Sequence, residues 1–99
     1  MDKAEAIKLA KNYKELVKKH LPVEEVYLYG SYATGNQHAD SDIDIAVFVK
    51  KTSDDFFEDT PLLWKLRRQV SSLIEPVLLD KRDKNSPLYS QVISTGIVI

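Results

Sequence analysis

Apolar residues recur at helical spacing through Ala6, Ile7, Leu9, Ala10, Tyr13, Leu16 and Val17, with lysines on the other face. This spacing predicts an amphipathic helix over Lys3–His20, stopped by Pro22. Val26–Tyr29 is a short β-prone run that reaches Gly30, where the chain must turn. A brief helix over Ser31–Thr34 and a polar, glycine-containing loop over Gly35–Ser41 are expected next. Ile43–Val49 is apolar at every position except Asp44, the pattern of a strand covered on both faces. A charged crossing, Lys50–Asp59, follows. Either Ser53 or Thr60 can cap the next helix, the latter with Pro61 at the favoured first position; the helix is expected to end near Leu73, with Leu62, Leu63, Leu66, Val70, Leu73 and Ile74 as its buried stripe. Glu75–Leu79 reads as a third strand, with Pro76 implying a sheet edge or a bulge. Ser86 caps a last helix to Thr95, Gly96 ends it, and Ile97–Ile99 can add a final strand. The order αβαβαβα(β) predicts an α/β (α+β) fold, a small mixed β-sheet with helices packed on it.

A chain of 99 residues is expected to form one domain, 1–99, with a modest core. Fourteen basic and fifteen acidic residues leave a net charge of -1, so no global positive field holds a nucleic-acid backbone, and phosphate recognition must be local. The absence of cysteine excludes disulfides, thiolate metal sites and a cysteine nucleophile. Met1–Lys19 is charged throughout, without the apolar core of a signal peptide, and no uninterrupted apolar run approaches ~20 residues. The chain is expected to be soluble and unprocessed, and a reducing cytoplasm fits.

Candidate chemistry concentrates in Gly30-Ser31-Tyr32-Ala33-Thr34-Gly35 and Asp40-Ser41-Asp42-Ile43-Asp44. A glycine after a strand allows close backbone approach, and a helix starting beside it directs unsatisfied N–H groups at an anion. Ser31 adds a hydroxyl donor; taken alone, the turn reads first as an ordinary strand-to-helix connection with Ser31 as its cap, since Gly-Ser turns are common. Asp42 and Asp44, two residues apart, project from one face if both are extended, about 7 Å apart at Cα. Magnesium takes a couple of carboxylate oxygens from protein and the rest from water and phosphates, a demand that two aspartates and a triphosphate meet. Asp40 and Asp42 would also suit a turn before the strand. Asp44, between two isoleucines, is too costly to bury without a compensating role.

Together these residues resemble the nucleotidyltransferase superfamily that shares the polymerase-β palm: Gly-Ser, a short spacer, then Asp-x-Asp on the next strand. In size the chain is similar to the minimal nucleotidyltransferases, the antitoxin half of pairs with HEPN-domain toxins. The resemblance implies nucleotide binding at Gly30 and Ser31, and metal binding at Asp42 and Asp44 with a third carboxylate on a later strand. Glu75 is the candidate for that third position and Asp80 its competitor. It further implies Mg2+-dependent transfer of a nucleoside monophosphate, AMP from ATP, to a hydroxyl of a macromolecular acceptor. Two magnesium ions ~3.5 to 4 Å apart would clamp the attacking and leaving oxygens. A HEPN toxin is the partner so implied, with a tyrosine hydroxyl or an RNA end as acceptor. The competing reading is a binding module that neutralises its partner by occlusion; a nucleotide-sensing regulatory domain is a third. Glu75 where many relatives carry aspartate, and Thr34 where many carry a basic residue, depart from the commoner pattern.

Other residues carry weaker signals. His38 in the motif loop reads as solvated, and Lys65, Arg67 and Arg68, like Lys81, Arg82 and Lys84, as solvated faces. Trp64 and Phe56-Phe57 are expected in the core, with at least one phenylalanine free to face a partner. Tyr32 either stacks or packs. Asp54, Asp55, Glu58 and Asp59 read as helix-start electrostatics.

Overall fold

The structure is a computed structural model that describes residues 1–50 and 56–99. Helix α1 runs over Lys3–Lys18, starting one residue after Asp2, whose Oδ1 accepts from Glu5 N at 2.8 Å. The apolar stripe read from the sequence faces inward, with Ala6, Ala10, Tyr13 and Val17 fully buried. Strand β1 spans Val23–Tyr29, beginning three residues earlier than the pattern predicted. Glu24 and Glu25 mask its start in the sequence; pairing of Val23 with Val49 and Glu25 with Phe48, with a register irregularity between them, draws them into the sheet.

After α2 (Ser31–Thr34), strand β2 occupies Ile43–Val49 and β3 occupies Ile74–Leu79. The sheet order is β3-β2-β1-β4, with β4 at Ile97–Val98. Strands β2 and β3 are parallel and the other pairs antiparallel, so the sheet is mixed, as the element order predicted. Pro76 sits on β3, an edge strand of the described sheet, and β3 keeps continuous register with β2 from Ile43↔Ile74 to Phe48↔Leu79. An edge leaves one side of the strand without ladder partners, so the missing N–H is tolerated without a bulge.

The second long helix departs from the expectation. Helix α3 covers Phe56–Leu66, with Thr60 and Pro61 inside it rather than at its start. It ends at Leu66, not near Leu73; a 3-10 turn, Arg67–Gln69, follows. Apolar periodicity alone extended the prediction, whereas Val70 and Leu73 pack on the core from the connection that follows. Ser53, Asp54 and Asp55 lie outside the described residues, as do the side chains of Phe56, Phe57 and Glu58. Trp64 is not a core residue: 39% of its surface is exposed, and Arg67 stacks over its ring at 4.6 Å. Helix α4, Pro87–Thr95, is capped by Ser86 as expected, its Oγ accepting from Tyr89 N at 3.1 Å.

Two apolar clusters flank the sheet. The larger joins Ile43, Ile45 and Val47 of β2 to α1 and α3, and the smaller joins Ala46 and Phe48 to Leu79 and Val92 of α4. Strand β2 is thus covered on both faces, which explains its near-continuous apolar run. Burying each such side chain contributes roughly 1.5–3 kcal/mol. A buried hydrogen bond, Tyr13 hydroxyl to Leu63 carbonyl at 2.8 Å, ties α1 to α3. Tyr32 is fully buried, so it packs rather than presenting its ring for stacking. Among the described residues no helix is long and apolar enough to cross a membrane.

Candidate functional site

The alternation of β2 directs Asp44 to the same face as Ala46 and Phe48. Asp44 pairs in register with Tyr29 of β1 on one side and Glu75 of β3 on the other. Adjacent strands lie about 4.7–4.9 Å apart, so Tyr29, Asp44 and Glu75 form a row across one end of the sheet. Asp42 precedes β2 by one residue and lies near enough to Glu75 for its charge to add to burial in raising the Glu75 carboxyl. The fold therefore brings Asp42, Asp44 and Glu75 to one place. Asp80 lies at the other end of β3, buried, accepting from Arg82 N at 2.7 Å and paired with the Arg82 guanidinium at 2.9 Å. It organises the turn that contains Asp83, which accepts from Asp80 N at 2.9 Å.

The turn after β1 is built against this row. Gly30 has φ +73°, a conformation that L side chains rarely adopt. A Cβ there would overlap Asp44 Oδ2 and stand 3.1 Å from its Cγ, so the backbone touches the carboxylate because no side chain intervenes. Gly30 caps α2 without a side-chain hydrogen bond; the capping position belongs to Gly30, not Ser31. Its carbonyl accepts from Ala33 N and Thr34 N at 3.1 and 3.2 Å. The N–H groups of Ser31 and Tyr32 thus open the helix without intrahelical acceptors. The loop beyond is held by Ser41, whose Oγ accepts from His38 N at 2.7 Å, and His38 itself is exposed.

Electrostatics follow from this crowding. Burial, then the charges of Glu75 and Asp42, push the Asp44 carboxyl up to about 6. Glu75 is likewise raised, by burial and by Asp42, with Arg67 pulling the other way. The Tyr29 hydroxyl is pushed up to about 12 by burial and by Asp44 and Glu75. Such a surplus of negative charge is suited to a cation. Among the described residues no three acidic or histidine side chains form a preformed metal cage. Magnesium does not need one, since it keeps several waters and takes one or two carboxylates plus phosphate oxygens. The donor set at Asp42, Asp44 and Glu75, hard oxygens only, fits that ion.

Tyr29 and Arg67 were not singled out for the site by their sequence pattern. Arg67 is half-buried: its Nη1 donates to Ser72 and Ile74 carbonyls at 2.8 and 3.1 Å, pinning the connection just before Glu75. It is not the solvated cation its helical spacing suggested. For Tyr29 the available signal was its place immediately before Gly30.

The family model for polymerase beta nucleotidyltransferases matches residues 11–99. The chain belongs to the polymerase beta nucleotidyltransferase family. It is 34% identical over 85 residues to the protein adenylyltransferase MntA of Shewanella oneidensis, covering 83% of this chain and 58% of MntA. The chain thus spans less than two thirds of that relative's length. The crystal structure of a nucleotidyltransferase-type protein from Sulfolobus solfataricus matches with TM-score 0.71 and 27% identity over 97% of this chain and 80% of that one. A toxin-antitoxin crystal structure with AMP-PNP matches with TM-score 0.55 and 30% identity, covering 99% of this chain and 72% of that one. These similarities agree with the nucleotidyltransferase fold expected from the Gly-Ser and Asp-x-Asp spacing.

Proposed function

We propose that this chain transfers AMP from ATP to a hydroxyl of a macromolecular partner, in a magnesium-dependent reaction, and that the partner is a HEPN-domain toxin that it neutralises as an antitoxin. The observation that carries this reading is the row Asp44–Glu75, in register on adjacent strands, with the side-chain-free turn at Gly30 packed against Asp44. The protein adenylyltransferase relative and the AMP-PNP-bound toxin-antitoxin structure support the nucleotide and the kind of partner.

Asp42, Asp44 and Glu75 would hold magnesium, which supplies charge neutralisation on the phosphates and Lewis-acid polarisation of the reacting oxygens. The Gly30 turn and the Ser31 hydroxyl orient the β- and γ-phosphates through N–H and O–H donors. A bond forms between the acceptor oxygen and the α-phosphorus, the bond from that phosphorus to the bridging oxygen breaks, and pyrophosphate leaves. The acceptor proton passes to Glu75, whose raised affinity for a proton makes it a better base than a free carboxylate at neutral pH.

The test is incubation of the protein with ATP labelled at the α-phosphate, magnesium and a HEPN toxin encoded beside it. Label on the toxin is expected, and its absence with every nucleotide would refute transfer. Toxin neutralisation retained by an Asp44→Asn variant that transfers no label would favour occlusion instead.

A further inference from the structure

At the end of the sheet away from Asp44 lies a cavity of about 100 Å3, lined by Glu24, Glu25, Tyr27, Phe48, Tyr89 and Asp80, with Ile93 at its edge. One water needs roughly 10–15 Å3 by the same measure, so the space suits a side chain rather than a single solvent molecule. Its wall is aromatic. Phe48 meets Tyr27 and Tyr89 edge-to-face, each with ring centroids 5.3 Å apart and interplanar angles of 66° and 85°. This packing fixes the two half-buried tyrosines around Phe48. Ile93, 49% exposed, extends the apolar edge.

The charge of the lining is one-sided. Three of the lining residues are carboxylates and none is basic. Asp80 is already committed to the Arg82 guanidinium at 2.9 Å, so one wall of the cavity is a place where a guanidinium is held. Among the described residues, neither Glu24 nor Glu25 forms an ion pair. Aromatic faces beside two carboxylates complement a cation that is flat and weakly hydrated. A lysine ammonium would meet the same charges without the planar stacking.

We infer that this cavity receives an arginine side chain presented by a partner protein, stacked against Tyr27 and Tyr89 and paired with Glu24 and Glu25. The cavity and the carboxylate row share a sheet face, because Phe48 lies four residues from Asp44 on β2, a separation of about 13 Å. An acceptor protein anchored here would sit beside α4, on the side of the sheet that carries Asp44. That consequence rests on the transfer proposed above, whereas the affinity of the cavity for arginine does not.

The test titrates the peptide acetyl-Gly-Arg-Gly-amide into the full chain without nucleotide or metal, following backbone and side-chain NMR shifts. Saturable shifts are expected at Tyr27, Tyr89 and Ile93, absent with the citrulline analogue, which has the same shape without the charge. The double variant Glu24→Gln/Glu25→Gln, both sites being exposed, should fold normally and bind about fivefold more weakly. Tyr89→Leu should weaken binding independently of charge. No saturable shift, equal response to citrulline, or shifts confined to Asp42, Asp44 and Glu75 would overturn the inference. Transferase activity is not measured, so failure here is separate from failure of the transfer.

Discussion

Asp44→Asn removes a charge while keeping shape, and two effects of opposite sign should follow. The folded protein holds the Asp44 proton up to about 6, against an ordinary 3.8, through burial and the neighbouring Glu75 and Asp42. That difference sets a ceiling of ~3 kcal/mol on the cost of ionising Asp44 in the fold. Solvent screening of a half-exposed carboxylate brings the realistic cost to about 1 kcal/mol. Between pH 4 and 6 the folded state binds more protons than the unfolded one, so wild-type stability falls as pH rises through this window. Above it the loss is complete. The variant has no such loss, so in chelator at pH 7.5 its thermal midpoint should exceed wild type by about 4–8 °C, a gap that closes below pH 4. Magnesium should stabilise wild type and not the variant, because only wild type retains the full carboxylate set. Label transfer from ATP should meanwhile be lost. Paired melts with and without magnesium, beside the transfer assay, make the comparison. A variant no more stable than wild type at pH 7.5 in chelator, or one that transfers label at the wild-type rate, would refute the reasoning.

Gly30→Ala forces a Cβ into the Asp44 carboxylate at a positive φ; we expect a loss of about 1–3 kcal/mol by denaturant unfolding and weaker nucleotide binding by calorimetry. Glu75→Gln should lower transfer about 100-fold or more with little change in midpoint, while Asp80→Asn should keep transfer and lose about 1–3 kcal/mol, since it weakens the hydrogen bonds and ion pair made by a buried carboxylate. Kinetics and melts on both variants separate the two carboxylates. Arg67→Ala removes the cation that lowers the Glu75 affinity for protons, so the acidic limb of the pH–rate profile should move to higher pH, with about 1–2 kcal/mol lost from the carbonyl hydrogen bonds and Trp64 stacking.

Local physics made much of this fold readable along the chain. The buried face of α1, the apolar run of β2, the Ser86 cap and the need for glycine at Gly30 each depend on residues close in sequence, where periodicity and backbone sterics operate. Asp44 stood out because a carboxylate between isoleucines breaks that local logic, and such breaks concentrate where chemistry is done. Of the two caps open for α3, Thr60-Pro61 carries a strong local signal that its surroundings override, leaving Ser53 outside the described residues, and the end was placed too late because Val70 and Leu73 continue a helical stripe from a non-helical connection. Pro76 pointed to an edge, but the parallel register that sets Glu75 beside Asp44 is a contact across 31 positions and has no local signature. The same holds for Arg67, which reads as a surface cation until the turn folds its carbonyls onto it, and for Tyr29, whose role depends on which strand lies next to β1. Sequence alone determined where a side-chain-free turn and closely spaced carboxylates, groups suited to a phosphate and a cation, lie along the chain. Tertiary structure decided which carboxylates share a site, because strand pairing sets distances that chain spacing does not.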